Sequence, residues 1–347
     1  MSQEPGSGEV LAAFEAAIER ELGDPRLHRR DLRTPACELS QRYRSAQASR
    51  DCGPHGKGEL EAYLATRVPA TFAATTRVLA ELALSRPGWA PESILDLGAG
   101  PGTATWAATG VFASLERAVL VERDPEMAAL GARLAHGPNG PNGPNGPSGL
   151  GGRSGLLAHA EWSVADAAQL SAPRSDLVVA AYLLGELGHD RDRERSALER
   201  WWAATLGELV LVEPGTPAGF ERLRAARSAL ISWGAHVSAP CPHDERCPMT
   251  GSDWCHFAVR LERSGLHRDL KGGRLGYEDE KYSYLAVSSS APGGRAPRLV
   301  RSPRQHKGHV RLQLCEVGGL NERVVSRRDG EVYKRARAAR WGDRLAI

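Results

Sequence analysis

No apolar run in this chain of 347 residues approaches the roughly 20 needed to span a bilayer. The first segment, MSQEPGSGEVLAAFEAAIEREL, lacks the basic start and apolar run of a secretory signal. It also lacks the Arg-rich amphipathic pattern of an organellar one. These absences predict a cytoplasmic, reducing compartment and no membrane partner. In such a compartment clustered cysteines bind metal or do chemistry more often than they form disulfides. There is no C-x-x-C, so a thioredoxin-like redox pair is excluded. The one compact glycine loop lacks the lysine that a P-loop requires, which removes the nucleoside-triphosphate hydrolases of that kind.

An apolar content of 41% and a charged content of 25% belong to a globular protein, long enough for one large α/β domain with appendages or for two domains. The net charge of +3 conceals an asymmetry. Residues 291–347 carry fourteen Lys/Arg against five Asp/Glu, or +9, so the first 290 sum to −6. A basic extension on a mildly acidic body points to an anionic partner, most simply nucleic acid.

Residues 1–88 read as a helical region, with Leu11, Phe14, Ala17, Ile18 and Leu22 on one face and a break at Pro69. Residues 89–290 then alternate strand-like and helix-like segments (SILDL, RAVLVERD, DLVVAAYLL, GELVLVEP), which predicts a parallel sheet flanked by helices. The Pro-Asn-Gly repeats of 137–155 predict a flexible insertion, and 241–276 a cysteine-rich one between the last two strands, AHVSAP and KYSYLAVSSS. Residues 291–347 form a basic C-terminal extension that ends in a strand running into a basic helix.

ILDLGAGPGTATWAA places Asp96 at a strand end, then Gly98, Gly100 and Gly102 before a helical run. Glycine permits a tight turn and a close backbone approach to a ligand. Glu122 ends the next strand, and Asp166 follows the third. The loop and the two acids closely resemble the S-adenosylmethionine-dependent methyltransferases of the Rossmann-like class I fold. That resemblance implies donor binding by the Asp96–Gly102 loop, Glu122 on the ribose hydroxyls and Asp166 at the adenine amino group. After the fourth strand the chain reads LLGELGHD, without the Asn/Asp-Pro-Pro-aromatic signature of enzymes that methylate base amino groups. No cysteine stands there as a nucleophile. No catalytic residue is assigned; Glu186 and His189 are the nearest candidates, with capping or surface roles favoured for both.

CPHDERCPMTGSDWCHF concentrates Cys241, Cys247 and Cys255 in a Pro-, Gly- and Asp-rich stretch that cannot pack as a core strand. A site that orders the loop is expected. Three thiolates need a fourth ligand, and the candidates are Cys315 in RLQLCEVGG, His243 and His256. Spacing does not separate zinc from a [4Fe–4S] cluster. Cys37 and Cys52 read as ordinary free thiols. If Cys315 is a ligand, the metal ties the tail to the loop, and metal loss is expected to release the tail. His306, His309, Tyr333 and Trp341 are available to stack on unpaired bases, with packing inside the tail as the other reading for Tyr333 and Trp341.

VPATFAA, the glycine loop, CPHDERCPMTGSDWCHFAVRLERSGLHRDLKGG, YEDEKYSYLAVS and YKRARAARWGD together resemble the methyltransferase-like assembly factors of the mitochondrial small ribosomal subunit and their bacterial relatives. The resemblance runs from about residue 60 to the end. It implies a donor-binding methyltransferase fold, a [4Fe–4S] cluster on Cys241, Cys247, Cys255 and Cys315, and association with the small ribosomal subunit and its rRNA. No DNA partner is expected. The competing expectation is an active methyltransferase for RNA or protein with a purely structural zinc or iron–sulfur site. Gly185 departs from the family, which often has a polar residue there.

Overall fold

A computed structural model of the protein describes residues 5–23, 32–44, 53–54, 56–136, 155–188 and 190–345. Cys52, His189 and positions 137–154 of the glycine-rich insertion lie outside the described residues.

Among the described residues, four helices precede the first strand: Pro5–Leu22, Arg33–Arg44, Gly56–Thr66 and Val68–Ser85. Pro69 sits in the first turn of the last of these, where its missing N–H costs nothing, so Arg67 separates two helices. Phe14 from the first helix lies 5.2 Å from Phe72 and stacks at 5.0 Å on Trp106, which fastens the N-terminal helices over the sheet.

The central sheet uses β1 Ser93–Leu97, β2 Arg117–Glu122, β3 Glu161–Val164, β4 Ser175–Ala181, β5 Thr205–Pro214, β6 His236–Ala239, β7 Phe257–Glu262 and β8 Tyr277–Ser288. Its order is β3-β2-β1-β4-β5-β8-β6. β1 to β5 run parallel, and β8 is inserted antiparallel between β5 and β6. The first half of β8 reaches beyond β6 and pairs with β7. Ile94 faces the N-terminal helices, while Leu95 and Leu97 face the helices Arg191–Ala203 and Pro217–Ser232. Both faces are therefore covered, as the near-continuous apolar strands require.

β7 and the helix Gly265–Leu270 occupy part of the expected insertion. The alternation of Phe257, Val259 and Leu261 was the available signal for β7.

The tail is folded. β9 Arg298–Leu299, β10 Arg304–His306, β11 His309–Glu316 and β12 Gly319–Ser326 form a second, antiparallel sheet, followed by the helix Glu331–Ala338. Leu299, Val310, Leu312, Leu314, Val325, Tyr333 and Leu345 build its own core. Tyr333 is thus a packing residue. Trp341 is one as well, meeting the edge of the His256 ring at 4.6 Å. His306 and His309 instead stack on each other at 4.7 Å on the outer side. A core of this kind changes the expectation that metal alone holds the tail, because apolar burial and the buried Arg298 also fix it. Arg298 pairs with Glu81 at 2.7 Å and donates to the carbonyls of Pro240 and Gly342.

Candidate functional site

Strand order reverses between β1 and β4, and in open α/β sheets ligands bind at the carboxyl ends of strands at such a point. The glycine loop lies there. Gly98, Gly100 and Gly102 have φ of +63°, +55° and +81°, a region costly for any residue with a Cβ. A Cβ on Gly98 would also lie 2.7 Å from Leu183 Cδ1. Asp96 is 1% exposed and accepts from the Thr105 N–H at 3.0 Å and its hydroxyl at 2.8 Å, pinning the loop to the helix Thr103–Val111. Burial nevertheless pushes its carboxyl up to about 7.

Glu122 uses both oxygens locally, accepting from Gly100 N–H at 2.8 Å and Asp124 N–H at 2.9 Å. Asp166 accepts from Ala168 N–H at 2.9 Å and pairs with Arg193 at 2.8 Å. Asp96, Gly98, Gly100, Glu122 and Asp166 line one open cleft of about 1350 Å³. Gly102 does not share in that lining; it turns onto Leu120 and Trp162.

Several cleft residues were not singled out from the sequence. Tyr63 and Arg67 arrive from the N-terminal helices. Tyr182 ends β4 at φ +60°, the one non-glycine residue with positive φ among those described, and its hydroxyl donates to Glu280 at 3.3 Å. A strained backbone at the mouth of a cleft is a recurrent mark of function. Glu213 is 1% exposed, accepts from Gly185 N–H at 3.3 Å and faces Arg222 at 3.5 Å. A Cβ on Gly185 would sit 3.3 Å from both Arg222 and Glu213, so the departure to glycine leaves that corner open. Glu186, a candidate in the sequence although a capping or surface role was favoured for it, lies in the cleft 3.9 Å from Arg123. Burial pushes Glu186 and Glu213 each up to about 7. The only sequence signal for them was an acid near the end of β4 or β5.

The thiols come from two places, the loop between β6 and β7 and the tail sheet. Cys241 follows β6, Cys247 and Cys255 lie in the loop before β7, and Cys315 lies in β11 of the tail sheet. All four line one small cavity walled by apolar groups such as Phe220, Met249 and Phe257. Burial, and then the neighbouring Cys241 and Cys247, push the Cys315 thiol up to about 12. Burial and the other three cysteines also raise Cys255 well above its usual value. Four soft sulfur donors on one largely apolar cavity fit a thiophilic metal or cluster in number and kind. In the arrangement described, no three His, Cys, Asp or Glu side chains among the described residues are drawn together as a metal centre. Of the two alternative ligands, His256 is stacked on Trp254 at 5.0 Å, while His243 Nε2 lies 3.6 Å from Cys315 Sγ.

The two sites share a wall. Trp254 Nε1 donates to the Gly215 carbonyl at 3.1 Å, and Gly215 lines the cleft. The helix Pro217–Ser232 presents Ala218 and Arg222 to the cleft and Phe220 and Leu223 to the cysteines.

A doubly wound parallel sheet with one reversed strand before the last, and a glycine loop facing acids at the ends of β2 and β3, define a class I methyltransferase fold. The chain belongs to the Rsm22 family, described as "Mitochondrial small ribosomal subunit Rsm22", whose model matches residues 57–346. It is 29% identical over 300 residues to the human "Ribosome assembly protein METTL17, mitochondrial", covering 82% of this chain and 62% of that one. It is 22% identical over 240 residues to "Ribosome assembly protein RSM22, mitochondrial" of Saccharomyces cerevisiae, covering 40% of this chain and 38% of that one. The chain thus spans less than two thirds of these relatives. Among solved structures it is similar to N-methyltransferase NodS from Bradyrhizobium japonicum with S-adenosyl-l-homocysteine, at 15% identity and a TM-score of 0.38, covering 73% and 97% of the two chains. The fold assignment rests on the strand order.

Proposed function

We propose that this protein is a methyltransferase-fold factor of small-ribosomal-subunit assembly that binds S-adenosylmethionine in the cleft and a [4Fe–4S] cluster on Cys241, Cys247, Cys255 and Cys315. The observation that carries the reading is the convergence of four thiols from two segments, the β6–β7 loop and the tail sheet, on one cavity in a chain of this family. When bound, the cluster supplies a covalent tie between the loop and the tail sheet. In the cleft, Glu122 orients the ribose hydroxyls, Asp166 faces the adenine edge and the loop backbone accommodates the donor's amino-acid end. The ordered tail presents Arg304, Lys307, Arg328 and Arg340 outward and carries the stacked His306–His309 pair, which supports rRNA phosphate contacts and base stacking.

The described residues include no helix long and apolar enough to cross a membrane. The relatives carry mitochondrial names, and the cytoplasmic compartment of this chain belongs to the proposal.

Anaerobic purification with absorbance and metal analysis tests the cluster. About four irons per chain with a brown chromophore are expected, and a colourless protein with one zinc refutes that part. Calorimetry with S-adenosylhomocysteine tests the cleft; Glu122→Ala should weaken binding at least tenfold. Co-sedimentation with small subunits should fall steeply with salt, since each phosphate contact adds to the salt slope.

A second reading, methyl transfer to RNA or protein, is favoured by the strained Tyr182 and by Glu186 and Glu213, acids held near neutrality beside the cleft. Labelled donor with isolated small subunits decides it: transfer that Glu213→Gln abolishes supports this reading, and no transfer from wild type removes it.

A further inference from the structure

His243 is buried to 3% exposure in a protein whose other candidate ring, His256, is held between two tryptophans. Its position is built rather than incidental. Its carbonyl accepts from Arg227 Nη2 at 2.7 Å, a guanidinium that is itself buried. The next residue, Asp244, is fixed to β6 by the Val237 N–H at 2.8 Å and the His236 ring at 2.9 Å, and it is paired with Arg295 at 2.7 Å. The backbone of the loop is thereby clamped immediately after the His243 Cα. That clamp aims Nε2 at Cys315 Sγ, 3.6 Å away, within reach of an N–H···S hydrogen bond.

With Cys315 present, the thiol set already numbers four, the complement that a closed cubane or zinc site requires. A fifth donor is surplus as a ligand but useful as a hydrogen-bond donor. A thiolate bound to metal keeps negative charge on sulfur, and at the buried Cys315, against apolar walls, that charge seeks a donor. Of the four sulfurs, Cys315 sits on the tail sheet, across the cavity from the loop. A bond from His243 in the loop to Cys315 in the tail therefore bridges the same two segments as the cluster.

We infer that His243 is a positioning residue that donates its Nε2–H to the Cys315 thiolate, orienting that ligand and stabilising the more negative oxidation state of the cluster. This rests on the cluster reading above. Hydrogen bonds to cluster sulfurs raise the reduction potential, because they favour the form with the extra electron.

The test is an anaerobic redox titration of the full chain, followed by electron paramagnetic resonance, for wild type, His243→Leu and His243→Gln. Iron content should be unchanged in both variants. The midpoint should move to more negative potential in the leucine variant and return toward wild type in the glutamine variant, whose amide restores an N–H. A leucine variant with the wild-type midpoint overturns the inference. So does iron that is lost from His243→Leu but retained in Cys315→Ser, which would make His243 the ligand. A wild-type protein with zinc in place of iron overturns the cluster reading and leaves the hydrogen bond testable. Zinc release to a chelator must then quicken in the leucine variant and not in the glutamine variant, and equal rates in all three overturn it.

Discussion

Arg298 offers the sharpest test of how the tail is held. It is 3% exposed, carries its charge to Glu81 Oε2 at 2.7 Å, and donates to the Pro240 carbonyl at 3.1 Å and the Gly342 carbonyl at 2.7 Å. One side chain thus joins the helix Val68–Ser85, the residue before Cys241, β9 and the C-terminal turn. Removing one partner of a buried ion pair generally costs about 3–5 kcal/mol, chiefly from the charge left behind. Here Glu81 also holds Arg77 at 2.7 Å, so its charge is not stranded, and Arg298→Met should fall near the lower end, about 3 kcal/mol. That corresponds to roughly a hundredfold increase in the equilibrium for tail opening. Amide hydrogen exchange of 298–345 and of 241–256 should quicken together by that factor. Slower-exchanging strands β1, β4 and β5 should be unaffected at low denaturant. Chelation of metal from the wild type should leave the tail protected, because its core and Arg298 remain. If exchange in Arg298→Met matches wild type, or chelation alone releases the tail, the reasoning fails and the metal is the dominant tie.

Two further outcomes follow from burial. Glu208 is 0% exposed at the sheet end away from the cleft, and burial pushes it from 4.5 up to about 7 against the help of Ser238 and Arg86. The folded state then keeps a proton that the unfolded chain has lost, so its contribution is fullest below about pH 4.5 and is lost as pH rises through 7. Denaturant titrations should show Glu208→Gln flattening that decline, by at most about 1.4 kcal/mol per pH unit, and parallel profiles would count against it. Gly131 lies within the helix Pro125–His136, where alanine is normally favoured by about 1 kcal/mol. Its Cβ would lie 2.2 Å from Trp162 Cη2 and 3.0 Å from the Pro101 carbonyl carbon, so Gly131→Ala should instead destabilise by about 1–3 kcal/mol. A raised urea midpoint would show that Trp162 moves freely.

The legible parts were those written in short stretches. A strand, a glycine turn and a helix follow one another within ILDLGAGPGTATWAA, and Asp96, Gly98 and Gly100 reach the cleft because β1 ends there. Glu122 and Asp166 followed from the same logic, one strand further each time. β7 was missed because its alternation is only six residues long and lies among turn residues. Tyr182 and Glu213 were not singled out, and Glu186 was read as a capping or surface residue, because an acid or a phenol acquires its role only from what surrounds it. Glu213 is distinguished by its burial and by the side chain Gly185 lacks, and neither is visible along the chain.

Local order alone determined the class of fold, since period, turn chemistry and strand-end acids act over a few residues. It also supplied three clustered thiols, while the choice of Cys315 over His243 and His256 as a fourth donor came from the family resemblance. Tertiary structure decided that the tail folds around its own core, that Tyr333 and Trp341 face inward, and that His243 rather than His256 meets Cys315. The physical reason is that burial and hydrogen-bond partnership are properties of positions in space. Residues 81, 240, 298 and 342 share one guanidinium, and no spacing along the chain records it.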